Sequence, residues 1–433
     1  MKTKSEILEL VEEEDVEFIR LQFTDVFGNL KNIAVTASQL SRALDNKYVF
    51  DSSTMFGTAR KGEKDLYLYP DLDTFVILPW RPQHGKVARM LCDIYKADGT
   101  LYMMSPRTIL KKVIKEAEEK GYTFYIDPEC EFFLFHTDEN GIPTTLTHEQ
   151  AGYMDVGPID LGENARRDMV LMLEDMGFEI ESSYHENAPA QHEIVFKEAE
   201  PLQIADSIVT FKSAVRSIAK RVGLHATFMP KPKKEVEGSG MHLNISVYKD
   251  GKNIFNSRND EEYTDETKYF MAGIMKYAKA MCSITNPLVN SYKRLVAGFE
   301  LDNKNASIRK SQNALLKVRK RLGEDTKVEI RFPDPSANPY LAIAICIAAG
   351  IEGVENKMAL DVKNISFEKK ESKVGYLPIS LWEAVGYTKK SSFIKNILGE
   401  EFVNIYTEMK YSEWNEYMEE ISDWEIKKYL NRV

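Results

Sequence analysis

The chain has 433 residues, of which 43% are hydrophobic and 29% charged, a globular balance with material for a large core and room for two domains. Its 57 Lys and Arg against 67 Asp and Glu give a net charge of −10. That argues against a nucleic-acid coat or an anionic membrane surface as the main partner and favours a small charged ligand.

Residues 5–13 carry apolar side chains at helical spacing, in an acidic, amphipathic start that lacks the apolar centre of a signal peptide. EFIRLQFTDVFGNLKNIAV then alternates apolar and polar residues around a turn at Phe27-Gly28-Asn29, the pattern of a hairpin. Strand-like pieces follow in DLYLYPD, TFVILPW and KVARMLCDIY, separated by Pro and Gly. Gly99 and the SPR at 105–107 precede a helix over roughly 106–120, which places a domain boundary near 104 and divides the chain into 1–104 and 105–433. Beyond it, strand signals at 123–136, 192–197, 240–248 and 327–332 alternate with helices near 162–177, 206–222, 265–282 and 338–358, and the last fifty residues are helical. This order predicts a large α+β domain. The longest apolar stretch, 341–351, suits a buried helix and is too short to span a membrane. Cys92, Cys130, Cys282 and Cys346 are scattered without a CxxC pair, as expected of reduced thiols in a cytoplasmic protein.

The polar residues of the strands carry the chemistry, because side chains at i and i+2 share a face. Glu129 and Glu131 in DPECEFFLF point the same way. In GSGMHLNISVY the apolar face is Met241, Leu243, Ile245 and Val247, leaving His242, Asn244 and Ser246 on the other. In KVEIRFPDP, Glu329 and Arg331 lie opposite the core-facing Val328, Ile330 and Phe332. SYHENAPAQHEIVF sets Glu186 and Glu193 on either side of a Pro-containing loop, each directly after a histidine. If these segments converge, five carboxylates and one imidazole line one cleft, and the buried charge requires compensation by cations. Oxygen-rich sites with one histidine suit Mg²⁺ or Mn²⁺, and two such ions can clamp a transferring phosphoryl group. Each ExE or HE pair taken alone reads more readily as a solvated strand face than as a site.

The run from Asn303 to Gly323 holds Lys304, Arg309, Lys310, Lys317, Arg319, Lys320 and Arg321 without an acid, and is either a phosphate-holding segment or a solvated basic loop. His84, His136, His148 and His225 have no evident partners and suit packing or surface roles. The glycines at 238–240 could admit a ligand against the backbone, although a simple turn fits the local sequence better.

The ordered series LQFTDVFGNLKN, VARMLCDIY, PECEFFLF, DLGENARRD, AQHEIVF, GLHATFMPKP, GSGMH, NSYKRLV and VEIRFPDPSANPYLA strongly resembles type I bacterial glutamine synthetase, over nearly the full length. The resemblance implies an N-terminal β-grasp domain joined to a catalytic domain with a curved antiparallel sheet. It also implies a dodecamer of two hexameric rings with active sites between neighbouring subunits. Matched by position, one metal falls to Glu131, Glu186 and Glu193 and the other to Glu129, His242 and Glu329. Arg294 and Arg331 match the arginines that grip the amino-acid substrate, with Gly238 beside them; Glu300 matches the flap glutamate and Asp51 the aspartate that helps deprotonate ammonium. Asp51, Glu300 and Arg331 thereby form the implied catalytic set, and Glu181, Asn244, Ser246 and Lys317 fall where ATP is held. The implied reaction phosphorylates the γ-carboxylate of glutamate and then lets ammonia displace phosphate.

The chain departs from the family's pattern around the substrates. The family's NRS followed by IRIP reads SQNALLKVR at 311–319, so its two arginine positions hold Gln312 and Lys317. Neither exchange is conservative, and loss of such a donor commonly costs about 10²–10³ in rate. The flap reads ELDNKNAS over 300–307, without its aromatic and proline. FDSST at 50–54 is followed by Phe56 in place of an acid and Thr58 in place of an aromatic, and Glu237 replaces an asparagine. Arg60 matches a position tied to feedback inhibition in altered surroundings. A ligase acting on another amine, and a weakly catalytic ring protein with a regulatory role, therefore stand beside ordinary glutamine synthesis.

Overall fold

The structure, a computed structural model, describes residues 2–58, 62–81, 84–257, 263–298, 315–320, 325–359 and 377–433. The chain opens with helix α1 (Lys4–Glu13), closed by a capping box in which Thr3 and Glu6 exchange hydrogen bonds. It buries Ile7 and Val11. Strands β1 (Val16–Thr24) and β2 (Leu30–Thr36) form the expected hairpin. Asp25 fixes its turn by accepting from the amides of Phe27 and Asn29, while Gly28 takes φ +85° with Asn338 against its Cα. Helix α2 (Leu40–Leu44) leads to β3 (Tyr48–Phe50), β4 (Leu66–Pro70), β5 (Val76–Ile77) and β6 (Lys86–Tyr95). These make one sheet in the order β2-β1-β6-β4-β3, in which only the β1–β6 pairing is parallel and β5 also pairs with β6. TFVILPW contributes only the two residues of β5, because Pro79 has no amide hydrogen to extend the ladder.

Helix α3 (Pro106–Glu118) begins at Pro106, a residue suited to the first helical turn. The rest of the chain surrounds β7 (Tyr122–His136). After it come α4 (Glu163–Glu174), β8 (Ile180–His185), β9 (Gln191–Phe196), α5 (Pro201–Arg221), β10 (Leu224–Thr227), β11 (Met241–Lys249) and β12 (Lys252–Asn253). There follow α6 (Asp265–Thr285), α7 (Val289–Gly298), β13 (Leu316–Arg319), β14 (Lys327–Ile330) and α8 (Pro339–Glu355). The C-terminal segment is helical, with α9 (Leu381–Lys390), α10 (Ser392–Leu398), α11 (Glu400–Glu419) and α12 (Asp423–Tyr429). The second sheet runs β13-β14-β11-β7-β9-β8, with β10 on β7 and β12 on β11, antiparallel throughout and strongly curled. Helix α8 is the apolar stretch of the sequence and is buried along almost its whole length. It crosses α6 at Gly273 and Gly353, where a Cβ on Gly273 would stand 2.0 Å from the carbonyl oxygen of Ala349.

A buried ionic hub joins the two sheets' surroundings. Arg107 at the start of α3 holds Asp71 (2.7 Å) and Asp93 (2.7 Å) from the first unit and Asp206 of α5 (2.8 Å), while Tyr340 of α8 donates to Asp206 (2.6 Å). Among the described residues no helix is long and apolar enough to cross a membrane.

Candidate active site

The pleat of β7 turns Ile126, Cys130 and Phe132 into the core and leaves Asp127, Glu129 and Glu131 on the opposite face. Register then assembles the site. Glu129 stands opposite His242 and Asp127 opposite Asn244 on β11, Asn244 opposite Glu329 on β14, and Glu131 opposite Glu193 on β9. Directly opposed residues bring their Cβ atoms to about 4.5–5.5 Å, so β14, β7 and β9 deliver their carboxylates, and β11 its imidazole, to one floor. Glu186 arrives from the β8–β9 turn, whose closure is set by its amide donating to the carbonyl of Gln191 (2.8 Å).

These side chains divide into two triads. Glu129, His242 and Glu329 bring ligand atoms within 4.8 Å of one another, and so do Glu131, Glu186 and Glu193. In the second triad, Glu131 accepts from the Gln191 amide (2.8 Å) and the Gly240 N–H (2.9 Å), Glu193 from the Tyr184 hydroxyl (2.6 Å), and Glu186 from the Asn187 N–H (3.2 Å). All of those donors are neutral. Burial and the charge of Glu131 push Glu186 up to about 8, and burial together with the charges of Glu129, Glu131 and Glu186 raises Glu193 well above the carboxylate range. Oxygen donors crowded at this spacing with unmatched charge fit a hard divalent cation.

The first triad is compensated from within. His242 Nδ1 lies 3.0 Å from Glu129 and 3.5 Å from Glu329, Arg331 donates to Glu329 (2.6 Å), and Arg319 reaches Glu129 (2.5 Å) and Glu329 (3.0 Å). Burial alone would raise Glu129, but the hydrogen bond and charge of His242 and the charge of Arg319 outweigh it and hold the group at about 2. Burial of Glu329 is likewise outweighed by His242, Arg331 and Arg319, which lower it. Its two carboxylates and one imidazole also suit a divalent ion.

A further network stiffens the loop that carries Glu186. Glu149 accepts from the amides of Ala190, Leu161 and Gly162 and pairs with His185 Nε2 (2.7 Å), whose Nδ1 donates to the carbonyl of Glu186. Arg166 ties Asp160 (2.8 Å) to His192 Nδ1 (2.9 Å). Burial, then the Arg166 charge, lowers His192 to about 3, so it is neutral at pH 7. Its Nε2 is buried against Gly162, where a Cβ would stand 2.4 Å away, so the ring packs the start of α4 onto β9.

Arg294 on α7 is buried, its guanidinium donating to the carbonyls of Arg331, Phe332 and Pro333. The simple turn expected at 238–240 is corrected here. A Cβ on Gly238 would stand 2.2 Å from the Pro230 carbonyl, and one on Gly240 2.7 Å from Arg294 and 2.8 Å from His242, so both glycines are required by close approach. The reading of His136 and His148 as partnerless is also corrected. Their rings stack at 4.7 Å with Nε2 and Nδ1 2.7 Å apart, because the loop after β7 folds back on that strand.

The two halves of the chain match the glutamine synthetase β-grasp domain over residues 15–97 and the glutamine synthetase catalytic domain over residues 103–429. The chain belongs to the glutamine synthetase family. It is 51% identical to the glutamine synthetase of Clostridium saccharobutylicum, over 99% of both chains. It is 46% identical to that of Staphylococcus aureus strain MW2, covering 99% of this chain and 98% of the relative. Among solved structures it is similar to GmaS without ligand, with a TM-score of 0.86 and 27% identity over 98% of this chain and 99% of that one. A GmaS complex with ADP gives 0.85 at the same identity and coverage.

Against that family pattern, the two carboxylate triads matched to metal positions each come together, with Arg331 at their edge. Other expected residues do not join them. Asp51 is exposed and caps a short turn through the Ser53 amide (2.8 Å). Glu181 lies exposed at the bulge that opens edge strand β8. Asn244, expected at the nucleotide, is fully buried and uses its amide on the Asp127 carbonyl and on Glu129 (both 3.1 Å), which makes it a positioning residue for Glu129. Ser246 is buried beside it, 3.4 Å from the Tyr125 carbonyl. Lys317 stands directly opposite Glu329, half-buried. Glu300, Gln312, the flap and Arg60 lie outside the described residues. Sequence reasoning missed Gln191, Tyr184 and Arg319 as partners of the carboxylates. Gln191 shares β9 and a face with Glu193 two residues on, a signal available in the sequence; Tyr184 comes from the neighbouring β8 through strand register, and Arg319 had only its place in a basic run.

Proposed function

We infer that the protein is an ATP-dependent ligase that forms glutamine from glutamate and ammonia through a γ-glutamyl phosphate. The observation that carries this is the pair of carboxylate triads on one sheet of a chain whose relatives, at 46–51% identity over nearly full length, are glutamine synthetases. Mg²⁺ or Mn²⁺ suits both triads, with Glu131, Glu186 and Glu193 holding one ion and Glu129, His242 and Glu329 the other. Bound there, the two cations would neutralise the floor and draw charge from the transferring phosphoryl group.

The chain's own residues supply the rest. Arg331, whose Nε is buried with no hydrogen-bond partner among the described residues, offers a donor to the substrate carboxylate, and Arg294 holds the backbone that aims it. Gly238 and Gly240 let Arg294 pack directly against the backbone. Lys317, its pKa lowered by burial and then by the charge of Arg331, offers a cation to the phosphates of ATP from the same sheet face. Glu181 and Ser246 remain nucleotide-side candidates, and Asp51 and Glu300 ammonium-side ones, reached through assembly into the dodecamer that the family pattern implies. The domains divide at about residue 104, and the protein works in the cytoplasm on small molecules.

A second reading, a ligase for another amine, is favoured by Phe56. This residue stands where the family pattern has an acid, and it is fully buried edge-to-face against Phe402 at 5.7 Å. ADP release by metal-loaded protein with ATP and glutamate, measured with and without ammonium and across a panel of primary amines, tests both. Ammonium-dependent turnover is expected. Turnover with another amine alone would transfer the conclusion to the second reading, and none with any amine would defeat both.

A further inference from the structure

The two triads differ in how their charge is met. In Glu131, Glu186 and Glu193 the donors are amides and a hydroxyl, and no Lys or Arg forms an ion pair with them among the described residues. In the other triad every carboxylate oxygen is already engaged. Glu129 Oε1 meets Arg319 and Asn244, Glu129 Oε2 meets His242, Glu329 Oε1 meets Arg331 and His242, and Glu329 Oε2 meets Arg319.

Arg319 is the member of that set with no counterpart in the family pattern. IRIP becomes LKVR at 316–319, so Arg319 takes the proline's place. It lies at the end of β13, diagonal to Glu329 across the β13–β14 ladder, and its length carries the guanidinium over Glu329 onto Glu129. The fork spans the two carboxylates that would have to share an ion. Its side chain is 28% exposed, against 8% and 1% for the two glutamates, so it has a solvent path out that they lack.

We propose that Arg319 is a built-in counter-cation of the Glu129–His242–Glu329 triad, which a divalent ion must displace from Glu129 and Glu329 to bind there. The inference rests on the metal assignment made above. An ion and a guanidinium cannot occupy the same side of the same oxygens, because like charges at that separation repel strongly in a partly dry site. Binding therefore selects the conformer with Arg319 turned out. If that conformer is populated at roughly 1–10%, the apparent affinity of the triad falls by about 10- to 100-fold. The same exchange makes Arg319 mobile only when an ion arrives at this triad, which links its release to metal loading.

Mn²⁺ binding to the full-length protein without nucleotide, followed by the paramagnetic resonance signal of free Mn²⁺, tests this. The wild type should show a tight and a weak class, one ion each per subunit. Arg319→Gln should tighten the weak class by at least about tenfold and leave the tight class unchanged, which also reports that the variant is folded. Arg319→Lys, which keeps the charge but cannot bridge both carboxylates, should fall between and decides the matter if Arg319→Gln does not fold. Superimposable isotherms for wild type and variants overturn the proposal while leaving the metal assignment standing. Absence of Mn²⁺ binding in every form overturns the metal assignment and this proposal with it.

Discussion

Replacing Arg107 with methionine would remove the hub between the two sheets while keeping most of the side chain's volume. Arg107 is 5% exposed and faces Asp71, Asp93 and Asp206, which are 26%, 17% and 12% exposed. Without it Asp93 keeps Lys111 (2.5 Å), and among the described residues Asp206 keeps the Tyr340 hydroxyl and the nearby charge of Arg89. Breaking a buried ion pair from one side costs about 3–5 kcal/mol. Lys111 and the solvent reached by Asp71 relieve part of this, so Arg107→Met should cost about 3 kcal/mol, most of it from Asp206. Urea unfolding followed by fluorescence and circular dichroism measures the loss. Adding Asp206→Asn to Arg107→Met should recover part of it, because the uncompensated charge is then gone. A loss below about 1 kcal/mol, or no recovery in the double variant, would refute the view that this hub is a matched set of buried charges.

Four other outcomes can be checked. Gln191→Ala leaves Glu131 with one donor in place of two and should weaken Mn²⁺ binding at the tight class by about tenfold, the lower end for a residue that orients a ligand, as seen by Mn²⁺ titration. Tyr184→Phe frees Glu193 to turn and should weaken the same class while leaving the weak class alone. Metal binding should release protons at pH 7, since Glu186, held up to about 8, carries one in the metal-free protein. Affinity then rises with pH until about 8, and calorimetry in buffers of different ionisation enthalpy reads the proton count; no buffer dependence would count against the uncompensated triad. Gly273→Ala drives a Cβ into the backbone of α8 and should cost about 1–3 kcal/mol in thermal or urea unfolding without altering metal binding.

The amino-acid sequence by itself determined much of this protein, because strand periodicity is local. The alternation in DPECEFFLF, MHLNISV and KVEIRF decides which side chains share a face, and those faces are the ones that hold Glu129, Glu131, His242 and Glu329. The capping box at Thr3, the turn at Gly28 and the apolar run of α8 are equally local signals. Short edge strands such as β8 and β13 left weak periodicity, so their register, and with it the place of Tyr184 opposite Glu193, came from the strands they pair with. Only the tertiary structure decided how the carboxylates divide their charge. One triad is matched by His242, Arg331 and Arg319, and the other by neutral donors alone, a difference set by which side chains strand register brings within about 3 Å. The hub at Arg107 is of the same kind, since Asp71, Asp93 and Asp206 lie far apart along the chain and meet because two sheets and α3 pack together. Electrostatic pairing at such distances depends on three-dimensional position, which residue type and spacing leave open.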